Sequence, residues 1–239
     1  MNARRKKGLV VAIDGPAGAG KSTVARRVAD ALGYVYLDSG AMYRAITFKA
    51  LQEGIPLDDA EALGALAGHS RIEFRRLQRG EWIDPESSAA SGMQLVYLDS
   101  RDVTGAIRHP EVTAAVSVVS AVPRVREALV RLQRSLAEPG SVVMDGRDIG
   151  TVVLPTADRK FFVTAALEER ARRRQKELAG QGHRISLEEV KEQMARRDRM
   201  DSTRPVSPLM QAQDAVVIDT TGRTVDEVVG TILDYCRRS

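Results

Sequence analysis

The stretch Val10-Val11-Ala12-Ile13-Asp14-Gly15-Pro16-Ala17-Gly18-Ala19-Gly20-Lys21-Ser22-Thr23 decides the fold. Leu9 to Ile13 is a short apolar run that reads as a buried strand. It breaks into Gly15-x-x-x-x-Gly20-Lys21-Ser22, and a helical pattern begins at once. Strand, glycine-rich loop and helix in that order make a phosphate-binding P-loop. Gly15, Gly18 and Gly20 let main-chain N–H groups curl around a polyphosphate without Cβ clashes. The following helix turns its unpaired N–H groups and positive dipole end toward the same anion. Lys21 is placed to reach the β- and γ-phosphates, and the Ser22 hydroxyl to ligate Mg²⁺. Gly15, Pro16, Ala17, Gly18, Ala19, Gly20, Lys21, Ser22 and Thr23 are therefore the expected nucleoside triphosphate site.

Composition bounds the rest. At 239 residues, 43% apolar and 28% charged, the chain suits one large α/β domain or a core with an inserted subdomain. No apolar run approaches the 18 or so residues of a membrane span. Met1 to Lys7 is basic but leads into a strand rather than a signal-peptide core, and the single Cys236 fits a reducing compartment, so a cytoplasmic location is expected. Lys and Arg total 36 against 32 Asp and Glu, and aromatics are only 4%. Nucleic-acid binding calls for a denser basic face with interleaved aromatics, so the surplus reads as anionic-substrate binding.

Beyond the P-loop the pattern alternates as an α/β fold should. A helix over 22–32 ends at Gly33, Tyr34–Leu37 is a strand, and Asp38-Ser39-Gly40 precedes a helix running through Leu51. Ser39 reads either as the N-cap of that helix or, with Arg44 one turn on, as a second phosphate site near a strand end. From about Ile55 to Ile107 short strands (72–74 and 93–98) flank a polar Arg79–Gly92 loop, which suggests an inserted small sheet with Trp82 as a packing anchor. Helices over 110–121, carrying Ser117, and 123–136 follow. Of Arg124, Arg126, Arg131 and Arg134, most suit a solvated face, and one pointing inward is the sharper alternative. A strand at 141–144 then ends in Asp145-Gly146-Arg147-Asp148-Ile149-Gly150, which reads as site chemistry or as an ion-paired surface turn.

After a strand at 160–164 the chain becomes basic and helical. One helix opens with Glu168-Glu169-Arg170-Ala171-Arg172-Arg173-Arg174, and Gly180-Gln181-Gly182 interrupts it. A second helix, with Ser186 and Glu189 as a capping box, runs to Arg204. Arg197, Asp201 and Arg204 share a helix face by spacing, as do Arg170 and Arg173. Arginines on two helices joined by a glycine hinge read as a lid over phosphates. A strand at 215–219 and a helix at 224–235 complete a five-stranded parallel sheet.

A P-loop, a second anion site, an arginine-rich lid and no evident general base point to phosphoryl transfer between nucleotides. A nucleoside monophosphate has a second pKa of about 6 and is already largely dianionic at neutral pH, so no base need activate it. Catalysis then reduces to in-line positioning and charge neutralisation, with water excluded. A regulatory GTPase would need an Asn-Lys-x-Asp guanine site, and the only asparagine is Asn2. A kinase for UMP or AMP is the nearest rival on motifs alone.

Five motifs carry a resemblance: Ile13-Asp-Gly-Pro-Ala-Gly-Ala-Gly-Lys-Ser, Leu37-Asp-Ser-Gly-Ala-Met-Tyr-Arg44, Pro123-Arg-Val-Arg-Glu-Ala, Asp145-Gly-Arg-Asp-Ile-Gly-Thr-Val-Val, and the arginine-rich run ending Arg204-Pro. From about Leu9 to Tyr235 the chain resembles the bacterial cytidylate kinases, the CMP/dCMP branch of the nucleoside monophosphate kinases. The resemblance implies a P-loop kinase fold of class α/β, with a five-stranded parallel core (about 8–54, 108–166 and 205–239), a β-containing monophosphate-binding insert (about 55–107) and a helical lid (about 167–204). It implies ATP as donor, Mg²⁺ as cofactor, CMP and dCMP as acceptors, and a monomer engaging neither membrane nor nucleic acid. Ser39, Arg44 and Arg147 would hold CMP, with Arg197, Asp201 and Arg204 reaching its sugar and phosphate. Ser117, Arg126 and Asp148 would face the cytosine, and Arg173 would approach the ATP phosphates. Lys21, Arg147, Arg197 and Arg204 would stabilise the transferring group. The Arg79–Gly92 loop is longer than the family pattern.

Overall fold

The computed structural model describes residues 8–76, 94–180 and 182–238; the Arg79–Gly92 loop, with Trp82, lies outside the described residues. Contacts divide the chain into two compact units, residues 1–37 with 136–239 and residues 38–135.

The first unit is built on β1 (Val10–Asp14), whose last four residues are all buried. A strand covered on both faces reads as a continuous apolar run rather than an alternating one, and Val-Val-Ala-Ile is such a run. In the five-stranded sheet β1 pairs in parallel with β6 (Val142–Gly146) and with β7 (Arg159–Thr164), and β7 with β8 (Val216–Asp219). With β2 (Val35–Asp38) at the edge, the order is β2-β6-β1-β7-β8, the expected α/β sheet. The chain leaves β1 toward β2 and later returns to β7 on its other side. Strand C-termini at such a reversal leave a crevice where ligands sit.

Helices α1 (Lys21–Leu32) and α8 (Val225–Arg237) contribute Val24, Val28, Val228 and Ile232 to one apolar cluster with Val11, Ile13, Val143, Phe161, Val163 and Ile218. Each such burial contributes about 1.5–3 kcal/mol, so the sheet centre is the rigid part. Gly33 ends α1 in the left-handed conformation expected of its C-cap, and Thr224 with Glu227 closes a capping box on α8. Helices α6 (Leu167–Gly180) and α7 (Leu187–Thr203), which span the expected lid, pack on each other through a small core of Ala171, Val190 and Met194.

The second unit holds α2 (Ser39–Gln52), α3 (Ala60–His69), α4 (Pro110–Ala121), most of α5 (Pro123–Ala137) and an antiparallel sheet of β3 (Ile72–Arg76), β4 (Gln94–Leu98) and β5 (Arg101–Asp102). β3 and β4 pair with Ile72 opposite Leu98 and Phe74 opposite Val96, so the inserted small sheet is present; β5 was too short and polar to see in the sequence. Among the described residues no helix is long and apolar enough to cross a membrane.

Candidate nucleotide-binding site

The P-loop takes the shape its glycines permit. Gly15 sits at φ 146°, and a Cβ there would lie 1.9 Å from the Val163 carbonyl oxygen of β7. Gly18, at φ 74°, lies under the lid, where a Cβ would meet Met194 Cε at 2.7 Å and Arg170 Cβ at 3.2 Å. These two glycines let the loop thread between the sheet and the lid helices. Gly20 is left-handed and leads into α1 with no side-chain cap, so the helix's first N–H groups face the loop.

Lys21 is buried, and its Nζ donates to the Pro16 carbonyl at 2.7 Å, arching back over the loop. Burial, reinforced by the nearby Arg147 and more weakly by Arg197, pushes its pKa down to about 7, while Asp145 and Asp14 pull the other way. A lysine so disfavoured as a cation gains most from an arriving anion. Ser22 donates its hydroxyl to Asp145 at 2.8 Å, and Asp145 also accepts from the Tyr36 hydroxyl at 2.8 Å. Asp145 is the last residue but one of β6, beside β1 and level with Ile13. A serine hydroxyl beside a carboxylate at a P-loop offers the hard oxygens Mg²⁺ takes, together with water and phosphate. Among the described residues no group of three or more His, Cys, Asp or Glu is placed to hold a metal ion.

The turn after β6 carries Arg147 and Asp148. Arg147 Nε donates to Asp201 of α7 at 2.9 Å, and Arg204 donates to Asp148 at 3.4 Å with both side chains buried. Sequence spacing put Arg197, Asp201 and Arg204 on one helix face. The structure ends α7 at Thr203, and Arg204 is extended (φ −61°, ψ 139°), with its Nε on the Ser207 carbonyl at 2.5 Å. Arg204 therefore reaches inward from a loop and not from a helix.

In the lid, Arg170 and Arg173 share a face but differ in depth. Arg170 is buried and donates to the carbonyls of Ala165 (2.9 Å) and Ala17 (3.1 Å) and to Asp198 of α7 (2.7 Å), bracing both helices against the P-loop. Arg173 is held by Glu169 at 2.9 Å and by Thr220 at 3.0 and 2.8 Å, with its NH1 3.9 Å from where a Cβ on Gly20 would lie. The Thr220 hydroxyl reaches the Ala19 carbonyl at 3.2 Å, so Arg173 is tied to the loop's far end.

The second unit carries the other expected residues. The reading of Ser39 as N-cap is corrected: Asp38 caps α2, accepting from the Ala41 amide at 2.9 Å, and Ser39 is the first helical residue, its side chain buried. Asp38 also grips Arg44 at 2.8 Å. Burial pushes the Asp38 carboxyl up, but Arg44, the Ala41 amide and Arg108 together hold it below the usual range. Arg126 is the inward arginine of α5, buried, donating to the Ser120 carbonyl at 3.2 Å and lying 5.4 Å from the Tyr43 ring centre. Ser120 in turn donates to the Ser117 carbonyl one turn back in α4 at 3.1 Å, and the Ser117 side chain is itself buried. Asp145 stands in the strand-end cluster that the sequence marked as site chemistry, but its hold on Ser22 and Tyr36 was not read from it. Sequence reasoning missed Asp38 and Tyr43: the first was visible as the acidic neighbour of Ser39, and the second had no signal apart from the helix.

A match to the family model described as cytidylate kinase spans residues 11–238. The chain is 54% identical over 231 residues to a cytidylate kinase of Symbiobacterium thermophilum, covering 97% of each chain. It is 51% identical over 226 residues to one of Geobacillus thermodenitrificans, covering 95% of each. A crystal structure of an uncharacterized protein from Eubacterium ventriosum shares the fold alone, with 12% identity, a TM-score of 0.52, and coverage of 97% of this chain and 99% of that one. With the family model matched over residues 11–238 and relatives about half identical over nearly the whole chain, the chain belongs to the cytidylate kinase family.

Proposed function

We propose that the chain transfers the γ-phosphoryl group of ATP to CMP and dCMP, giving CDP and dCDP, by in-line displacement without a general base. The observation that carries this reading is the buried Lys21 set among Arg147 and Arg197 at the P-loop, a desolvated cationic centre suited to a transferring phosphoryl group. The P-loop amides and Lys21 hold the donor, with Arg173 near its phosphates. Ser22, aligned by Asp145, would hold Mg²⁺, which supplies Lewis-acid charge stabilisation on the phosphate oxygens. Ser39, Arg44, Arg147, Arg197, Asp201 and Arg204 serve the acceptor's sugar and phosphate. Ser117, Arg126 and Asp148 serve the base.

Cytosine presents an N4 donor beside N3 and O2 acceptors. A carboxylate such as Asp148 accepts from N4, and Arg126 donates to the acceptors. Uracil would set an oxygen against that carboxylate, at a cost of about 1–3 kcal/mol per mispaired buried group. CMP should therefore outrun UMP by tens- to hundreds-fold. Closure of the lid (about 167–204) would exclude water, the competing acceptor. The protein acts as a cytoplasmic monomer. The test is ATP consumption with CMP, dCMP, UMP and AMP in turn. CMP and dCMP should be turned over fastest, and equal or faster turnover of AMP or UMP would overturn the assignment.

A further inference from the structure

Asp14, the last residue of β1, belongs to none of the roles above. Its side chain is almost wholly buried. One carboxylate oxygen accepts from the Ile149 amide at 2.8 Å and the other from the Gly150 amide at 2.7 Å. Those amides open the short wide helical turn Ile149–Val153, whose own N-cap Asp148 offers it no side-chain hydrogen bond. Asp14 therefore caps that turn from a neighbouring strand. In the β1–β6 ladder Asp14 stands opposite Gly146. The chain leaves the ladder at Gly146, passes through Arg147 and Asp148, and is caught again by Asp14 at Ile149, three residues on. The two residues assigned to CMP are thus clamped at both ends, by strand pairing before them and by one carboxylate after them. Gly150 fits closely there, since a Cβ on it would lie 3.4 Å from Asp14 Oδ2 and 3.1 Å from Lys160 Cδ.

We propose that Asp14 is a positioning residue for acceptor recognition: by docking the amides of Ile149 and Gly150 it fixes the turn that aims Arg147 and Asp148. The inference rests on the assignment of that turn to CMP. A carboxylate is the side chain the place requires, because both partners are donors. Burial pushes its pKa up to about 6, against the pull of the two amides, so it remains chiefly an acceptor at neutral pH. An asparagine could accept from one amide only and would set its own NH₂ against the other. Donor would face donor, and the turn would shift.

Asp14→Asn and Asp14→Glu, the second keeping the charge but displacing it by a methylene, should each raise KM for CMP about tenfold and lower the CMP-to-UMP ratio of kcat/KM severalfold, with KM for ATP changed by no more than about threefold. In an Asp148→Ala background, Asp14→Asn should alter the CMP-to-UMP ratio by less than about twofold, because the group it aims is gone. A purely structural role would lower the melting temperature and weaken ATP and CMP alike. That pattern, or unchanged KM and ratio in both variants, overturns the proposal. Wild-type protein gives a readout that needs no variant: CMP alone, and not ATP alone, should slow amide exchange at residues 148–150, and no CMP-dependent change there would also overturn it. Wild-type protein that leaves CMP untouched sinks the functional reading itself, whereas active wild type with unaffected variants sinks only the role of Asp14.

Discussion

The depressed pKa of Lys21 makes nucleotide binding a proton-uptake reaction. With a pKa of about 7 the lysine is only about one-tenth protonated at pH 8. Phosphate oxygens arriving at the loop supply the opposite charge that burial and Arg147 deny it, and this drives its pKa back toward the ordinary range. Nearly full protonation in the complex then means uptake of about 0.9 proton per nucleotide at pH 8. The terminal phosphate of ATP has a second pKa of about 6 and is already ionised there. Asp14, at about 6, is ionised too, so both stand aside. The assay is calorimetric titration of ATP with EDTA at pH 8 in buffers of different ionisation enthalpy, where the slope of observed heat against buffer enthalpy counts protons. Affinity should also fall as pH rises, by about tenfold, or 1.4 kcal/mol, per unit above pH 7 until the complex itself loses the proton. In Lys21→Met the slope should drop close to zero. A wild-type slope near zero, or an equal slope in the variant, would refute the premise that the loop holds a desolvated lysine awaiting an anion.

Three further outcomes follow from the same geometry. Asp148→Ala should narrow the CMP-over-UMP preference at least about tenfold, and an unchanged ratio in steady-state kinetics would move base selection elsewhere. Arg197→Ala should lower kcat by about a hundredfold or more with a much smaller change in ATP affinity, so a pure ATP-binding defect would contradict its place at the transferring group. Gly15→Ala sets a methyl 1.9 Å from the Val163 carbonyl at a φ of 146°, and should cost about 3 kcal/mol or more of stability. A melting temperature within about 2 °C of wild type would show that the strand-to-loop bend is softer than its geometry implies.

What the sequence made legible was whatever depends on local pattern. The apolar run ahead of Gly15, Gly33 as a C-cap and the Ser186–Glu189 box all stand where periodicity and capping chemistry put them. Depth was not legible. Arg170 and Arg173 share a face by spacing, yet one is buried as a brace on main-chain carbonyls and the other is held at the rim by Thr220 and Glu169. Spacing fixes an angle around a helix and says nothing of what the helix packs against. Likewise the spacing of four arginines on α5 gave no reason to choose Arg126, which only the resemblance picked out; the structure shows it falling with Val125 and Leu129 on the buried stripe. The Ser39 cap was misplaced by one residue because Asp and Ser are equally good caps and stand side by side. Asp14 was hidden for a different reason. Its partners are main-chain amides 135 and 136 positions away, and no side-chain pattern records them.

The carboxylates explain how each unit accommodates so many arginines in a folded protein. Arg44 is held by Asp38, Arg147 by Asp201, Arg170 by Asp198, Arg173 by Glu169 and Arg204 by Asp148. An arginine immobilised on binding loses up to about 2 kcal/mol of rotamer freedom, so several arginines closing on one nucleotide would forfeit much of their attraction. A guanidinium carries five donors in a rigid fork, and a carboxylate on one edge fixes the plane while the remaining N–H groups stay directed. Arg147 shows the division: Nε goes to Asp201, and NH1 to the Gly146 carbonyl at 3.3 Å, which aligns the group along the β6 exit. The ordering is thereby done in folding, where it is offset by the hydrogen bonds that impose it, and the transferring phosphoryl group meets donors that need little reorganisation. On the proposed reading, Asp38, Asp148, Glu169, Asp198 and Asp201 serve by holding arginines still rather than by moving protons.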